Sequence, residues 1–168
     1  MDRVAWFFGN GVADGDGSMK ALLGGKGAGL AEMTRAGLPV PPGFTLTTQA
    51  CFAFFQNDHI CPPDIETATL EGLARLETVH GRTLGDSERP LLLSVRSGGA
   101  ISMPGMMDTV LNLGLNDITA RALEVESDNP WYARDCYRRF LQMFGEVVLS
   151  VPSERFTERL DALKADVG

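Results

Sequence analysis

The 168-residue chain has 44% hydrophobic and 22% charged residues, a balance that supports a folded core and excludes disorder as the default. Its 15 lysines and arginines face 22 aspartates and glutamates, a formal charge of −7 that argues against nucleic-acid binding, which needs a basic face to displace phosphate counterions. Cys51, Cys61 and Cys136 lie far apart without a CxxC pair, and no apolar run approaches the roughly 20 residues of a membrane span, so the expectation is a cytoplasmic protein with no metal site, disulfide framework or membrane partner.

Val4 to Phe8, β-branched and aromatic, predicts a strand, and Gly9 to Gly17 a glycine-rich turn or hairpin connection. Leu30, Met33 and Ala36 have helical spacing, predicting a helix over 26–35 that stops at Gly37. Leu38 to Gly43, with three prolines, must run extended into a strand at Phe44–Thr47. Thr48 is expected to cap a helix through Phe55. Pro62 and Pro63 open another, with Ile65, Leu70, Leu73 and Leu76 on its core face and an end near Gly81.

Leu91 to Val95, bounded by Pro90 and Ser97-Gly-Gly, reads as a buried strand. Gly98 to Gly114 gathers Met103, Met106 and Met107 around Pro104-Gly105. A short helix follows Asn116-Asp117. Asn129-Pro130 starts a long one through Ser150, with Tyr137, Phe140, Leu141, Phe144 and Val148 spaced for a core face, and Ser153-Glu154 opens a last amphipathic helix. The pattern is α+β at the front and all helix from about Asn116.

Several motifs fail on inspection. Gly25-Lys26 is not a P-loop, because Gly27 stands where Ser or Thr should hold magnesium and Lys20 where the leading glycine belongs. Leu30 breaks GxGxxG. Asp14-Gly-Asp16-Gly-Ser18 hints at a calcium loop, but Met19 and Gly25 occupy the turn-glycine and bidentate-glutamate positions, so it reads as a solvated turn. His59 and His80 have no partners at ligand or triad spacing. Asp135 with Arg134, Arg138 and Arg139 reads as a helix surface with local ion pairs.

Two segments carry chemistry. In Leu22-Leu-Gly-Gly-Lys-Gly-Ala-Gly-Leu30, glycines at a helix start let backbone amides approach an anion, and Lys26, one of three lysines, adds a mobile charge. A tightly packed helix start with a solvent lysine fits the same spacing. In Ser94-Val-Arg-Ser-Gly98 and Ser102-Met-Pro-Gly-Met-Met-Asp-Thr109, Arg96 leaves a strand into a glycine turn, and its planar fork suits phosphate. The Pro-Gly loop with its methionines reads either as a cover over a substrate or as an apolar loop packed on a partner domain.

LLGGKGAGLAEMTRAGLPVPPGFTLTTQAC followed by LLLSVRSGGAISMPGMMDTVLNLGLND resembles the N-terminal region of the pyruvate phosphate dikinase family, over nearly the whole chain. The GGKGxxLAEM and PVPPGF elements are shared with phosphoenolpyruvate synthases, rifampicin-type antibiotic phosphotransferases and glucan dikinases, whereas SMPGMMDTVLNLGLND is more specific. The resemblance implies the first lobe of an ATP-grasp domain with a helical insertion: an α+β lobe over 1–115, and a helical segment over 116–168 leading toward a second lobe. It implies ATP as ligand, magnesium held by acidic residues of that second lobe, a swivelling phosphohistidine domain, a pyruvate-binding barrel and a homodimeric full-length enzyme. Such enzymes pass the β-phosphoryl of ATP to the carrier histidine and the γ-phosphoryl to phosphate, giving AMP and pyrophosphate.

Residue by residue, Lys26 matches the lysine on the ATP phosphates and Arg96 the arginine that stabilises the phosphoryl group in transfer. Gly105, Met107 and Asp108 match the loop over the nucleotide. The family's RSGARAS is here Arg96-Ser-Gly-Gly-Ala100-Ile-Ser102, so Ala100 replaces a second arginine. The expectation is a catalytically incomplete half-site. Its rivals are a fragment of a phosphoenolpyruvate synthase-like phosphotransferase and a stand-alone nucleotide-binding or regulatory module.

Overall fold

A computed structural model describes residues 3–98 and 108–167. It is a mixed helix-and-sheet protein dividing into two compact units, the first up to Gly81, the second Arg82–Ser97 with Asp108 onward.

The first unit holds β1 (Ala5–Gly9), β2 (Val12–Ala13), α1 (Lys20–Arg35), β3 (Gly43–Leu46), α2 (Thr48–Gln56) and α3 (Pro63–His80). Its sheet is antiparallel in the order β2-β1-β3, with Phe8 opposite Ala13 on one side and Trp6 opposite Thr45 on the other. Alternation along β1 sends Phe7 inward, where Leu23, Ala28 and Ala31 of α1, Ala50 of α2, and Ile65 and Leu76 of α3 are also buried. Small residues on α1 permit close approach to the sheet: a Cβ built on Gly27 would lie 2.7 Å from Thr45 Cγ2 and 2.8 Å from its Oγ1.

Thr47, not Thr48, caps α2, its side chain accepting from the Ala50 amide at 3.3 Å. On α2 only Ala50 is buried, and Phe52 and Phe55 stay 67% and 60% exposed. On α3, Ile65 and Leu76 face the core as their spacing predicts, together with Gly72 against the Phe44 ring, but Leu70, well round the helix from these three, is exposed.

The second unit holds β4 (Leu93–Arg96), β5 (Thr109–Leu113), α4 (Asp117–Ser127), α5 (Pro130–Val147) and α6 (Ser153–Val167). Val110, Leu115 and Phe140 form its buried cluster, flanked by Leu92, Leu113, Leu123, Cys136, Tyr137 and Phe144. Asn116 starts α4 through a reciprocal box with Thr119, and Asn129 starts α5 by accepting from the Tyr132 amide. Leu141 and Val148, expected on the core face of α5, are exposed. Helix α5 ends at Val147, so the periodicity outlives the helix.

The expected buried strand at 91–95 is corrected. Leu91 is buried but precedes β4, and Ser94, Val95 and Arg96 are exposed, since β4 pairs with β5 alone in a two-stranded antiparallel sheet. β5 lies inside 98–114, a span marked from sequence only for its methionines, and begins where the expected Pro-Gly loop ends.

Candidate functional site

Helix α1 is not continuous. Gly24 adopts φ 69° and ψ 168°, a region essentially closed to residues with a Cβ, and splits the helix into a first turn from Lys20 and a longer segment from Gly25. The break gives the second segment its own start at Gly25, and a helix N-terminus carries a positive dipole. Lys26, partly exposed, stands in that first turn. Sequence spacing located this helix start, and the structure adds the turn of helix preceding it.

Neighbours hold the break in place. Thr48 Oγ1 donates to the Ala21 carbonyl at 2.7 Å. Gly27 abuts Thr45 of β3, and the Gly17 amide donates to Glu32 Oε2 at 3.0 Å, pinning the loop that enters α1.

In the second unit, Arg96 ends β4 directly opposite Thr109, the first residue of β5. The next pair closes the ladder: the Ser97 amide donates to the Asp108 carbonyl at 3.0 Å, and the Asp108 amide donates to Ser97 Oγ at 2.9 Å. Arg96 is thus paired with Thr109 and Ser97 with Asp108, and both Arg96 and Asp108 are exposed. That sheet is antiparallel, and Arg96 is the last residue of a strand paired only with β5 among the described residues. Gly105 and Met107 lie outside the described residues. Ser97, which bonds both the amide and the carbonyl of Asp108, was not singled out from sequence; a serine flanking a glycine turn is the signal that could have found it.

Other charged groups are committed elsewhere. Asp14 accepts from the Phe7 amide at 2.7 Å and pairs with Arg3 and Arg75. Asp16 accepts from the Ser18 side chain and amide, bonds that hold its carboxyl below the usual range. Both acids serve the turn. A cleft of about 340 Å³ in the first unit is lined by Arg3, Phe7, Phe44, Glu71 and Arg75, but both arginines pair with Asp14, and Arg75 lies over the Phe7 ring at 3.8 Å. Its charges are balanced internally, and Lys26 is not part of it. Among the described residues no group of three His, Cys, Asp or Glu is placed to hold a metal ion, and no helix is long and apolar enough to cross a membrane.

Residues 20–69, spanning the broken helix, β3, α2 and the start of α3, match the family described as pyruvate phosphate dikinase, AMP/ATP-binding domain. Over 96% of its length the chain is 53% identical to pyruvate, phosphate dikinase 2 of Zea mays, covering 18% of that protein. It is 49% identical over its full length to pyruvate, phosphate dikinase of Rhizobium meliloti, and 48% identical over 92% of it to the Clostridium symbiosum enzyme, covering 19% and 18% of those chains. The chain thus spans less than a fifth of the length of these relatives, and the part it matches is their N-terminal portion.

Proposed function

We propose that this chain, similar along nearly all its length to the N-terminal portion of pyruvate phosphate dikinases, supplies one side of their nucleotide site: the first lobe of an ATP-grasp domain, followed by a helical insertion. The observation that carries the reading is the coincidence of the AMP/ATP-binding match over residues 20–69 with a helix broken at Gly24, so that a fresh N-terminus and Lys26 stand together. Backbone amides and an ammonium charge there hold phosphate oxygens without a P-loop. In the parent reaction ATP, pyruvate and phosphate become AMP, phosphoenolpyruvate and pyrophosphate, by way of a histidine outside this chain.

Arg96 neutralises charge on the phosphoryl group in flight, and Asp108, with Gly105 and Met107, belongs to the loop over the nucleotide. Phosphoryl transfer depends on such positioning and charge compensation. Magnesium is assigned to acidic residues of the second lobe, and a homodimeric, cytoplasmic enzyme is the expected setting.

The test is Arg96→Lys in the full-length polypeptide. An ammonium lacks the planar fork, so single-turnover phosphorylation of the carrier histidine should slow by about a hundred- to a thousandfold, roughly 3–4 kcal/mol, with ATP affinity less affected. A folded Arg96→Lys enzyme with near-normal turnover removes Arg96 from the site.

A further inference from the structure

Helix α6 is seated on α5 at Gly145, where a Cβ would lie 2.5 Å from Phe156 Cζ, so the ring packs directly on the glycine. Beside that contact the two helices leave a cleft of about 320 Å³. Its α5 wall is a single stripe at i, i+3, i+4 and i+7, made by Arg134, Tyr137, Arg138 and Leu141. Its α6 wall repeats the spacing with Phe156, Arg159 and Leu160. Phe156 and Leu160 are half-buried, and Leu141 stays 49% exposed. Apolar surface thus lies open between guanidinium groups.

This local charge runs against that of the chain. On a polypeptide of net charge −7, three arginines line one cleft, and no described lining residue is Asp or Glu. Their donors are unequally committed. Arg138 gives Nε and Nη2 to Asp135 and Nη1 to Gln142. Arg134 gives only Nε, to Glu124 at 2.9 Å, and its terminal nitrogens make no hydrogen bond among the described residues. Arg159 makes no hydrogen bond or ion pair among them at all. Two planar forks remain for an acceptor from outside. The Tyr137 hydroxyl donates to Asp117 at 2.9 Å, so its ring is what it offers the cleft.

An occupant must satisfy both features. Inorganic phosphate would leave the apolar walls wet, and a neutral hydrocarbon would leave the forks unused. The volume falls at the lower end of small-ligand pockets, about 300 Å³ upward, whereas a protein interface uses roughly 20–30 residues a side and this cleft has eight. We propose that the α5–α6 cleft binds a small amphipathic monocarboxylate. Its aromatic or aliphatic body lies against Leu141, Phe156 and Leu160, and its carboxylate meets the forks of Arg134 and Arg159. The proposal does not depend on the nucleotide reading.

The probe is 3-phenylpropanoate, with the neutral 3-phenylpropanamide as its isostere, titrated into the isotope-labelled 168-residue chain and followed by NMR. Saturable shifts should appear in residues 134–142 and 156–160, with a dissociation constant on the order of millimolar for so small a ligand. The carboxylate should bind about fivefold more tightly than the amide, the upper end for an exposed ion pair, and the preference should shrink as salt rises from about 0.01 to 0.1 M. Arg159→Gln, at an exposed position, should abolish that preference without lowering the melting temperature. If Arg159→Gln does not fold, Arg134→Gln decides by the same comparison. Equal affinity for acid and amide overturns the proposal, as does a preference that survives the arginine substitution. Shifts that fail to saturate, or that centre on Phe52 and Phe55, reveal general apolar adsorption and overturn it too. Cleft resonances that move with protein concentration and not with the probe assign the cleft to a second copy of the chain, which likewise refutes it.

Discussion

Replacing Gly27 by alanine tests whether α1 is seated on β3 as described. The new methyl would sit 2.7 Å from Thr45 Cγ2 and 2.8 Å from Thr45 Oγ1, with Leu23 Cβ at 3.2 Å on another side. Turning Thr45 about χ1 exchanges one close atom for another, and its backbone is held by pairing with Trp6. The neighbours can give way only by a shift of helix against strand, which belongs in the upper part of the overpacking range, about 2–3 kcal/mol. Exchanging glycine for alanine in a helix returns up to about 1 kcal/mol. The net is a loss of about 1–2 kcal/mol, or roughly 1 M in urea midpoint for a chain of this size. Trp6, on β1, reports the transition by fluorescence, while Trp131, already 83% exposed, changes little. In a Thr45→Ala background the cost of Gly27→Ala should fall by about 1 kcal/mol or more, since both offending atoms are gone. Wild-type stability in Gly27→Ala, or an unchanged cost in the Thr45→Ala background, would refute the reasoning.

Ser97→Ala removes the hydroxyl that accepts from the Asp108 amide but leaves the Ser97 amide bonded to the Asp108 carbonyl. Hydrogen exchange at the Asp108 amide should quicken, by up to about tenfold, with global stability almost unchanged; an unaltered rate means the serine does not close the hairpin. Arg82 holds the Glu126 carboxyl below its ordinary value by hydrogen bonding. A depressed folded-state pKa means this pairing stabilises above the unfolded pKa and is lost as pH falls through the folded one. Wild type should therefore exceed Glu126→Gln in urea midpoint at about pH 6, and the gap should close toward about pH 3, a modest effect that salt reduces. A gap that widens on acidification contradicts the assignment.

Element starts were the most legible part of the sequence. Asn116, Asn129-Pro130 and Pro62-Pro63 each declare a helix N-terminus by chemistry that needs no tertiary partner. Legibility fails where two residues are chemically equal or where burial decides. Thr47 and Thr48 are interchangeable as caps on paper, and the fold assigns one to α2 and the other to α1. Leu70 and Leu141 satisfy a helical period yet stay exposed, because periodicity marks a face without saying how wide the covered part is. For the site, glycine spacing revealed the helix start at Lys26 but not the positive φ of Gly24 that creates it. Arg96 was legible as a strand end; its pairing with Thr109 depends on β5, which local composition concealed behind the methionines.

The surface of α2 has a colloidal consequence. Phe52, Phe55 and, just beyond the helix, Ile60 are each at least 60% exposed, on a chain whose net charge of −7 repels its own copies. These two influences respond differently to electrolyte. Raising ionic strength shortens the Debye length from about 30 Å at 0.01 M to about 10 Å at 0.1 M, removing the long-range repulsion while leaving the attraction between bare aromatic rings intact. Self-association of the 168-residue chain should therefore increase with added salt, so light scattering from this polypeptide is lowest in dilute buffer.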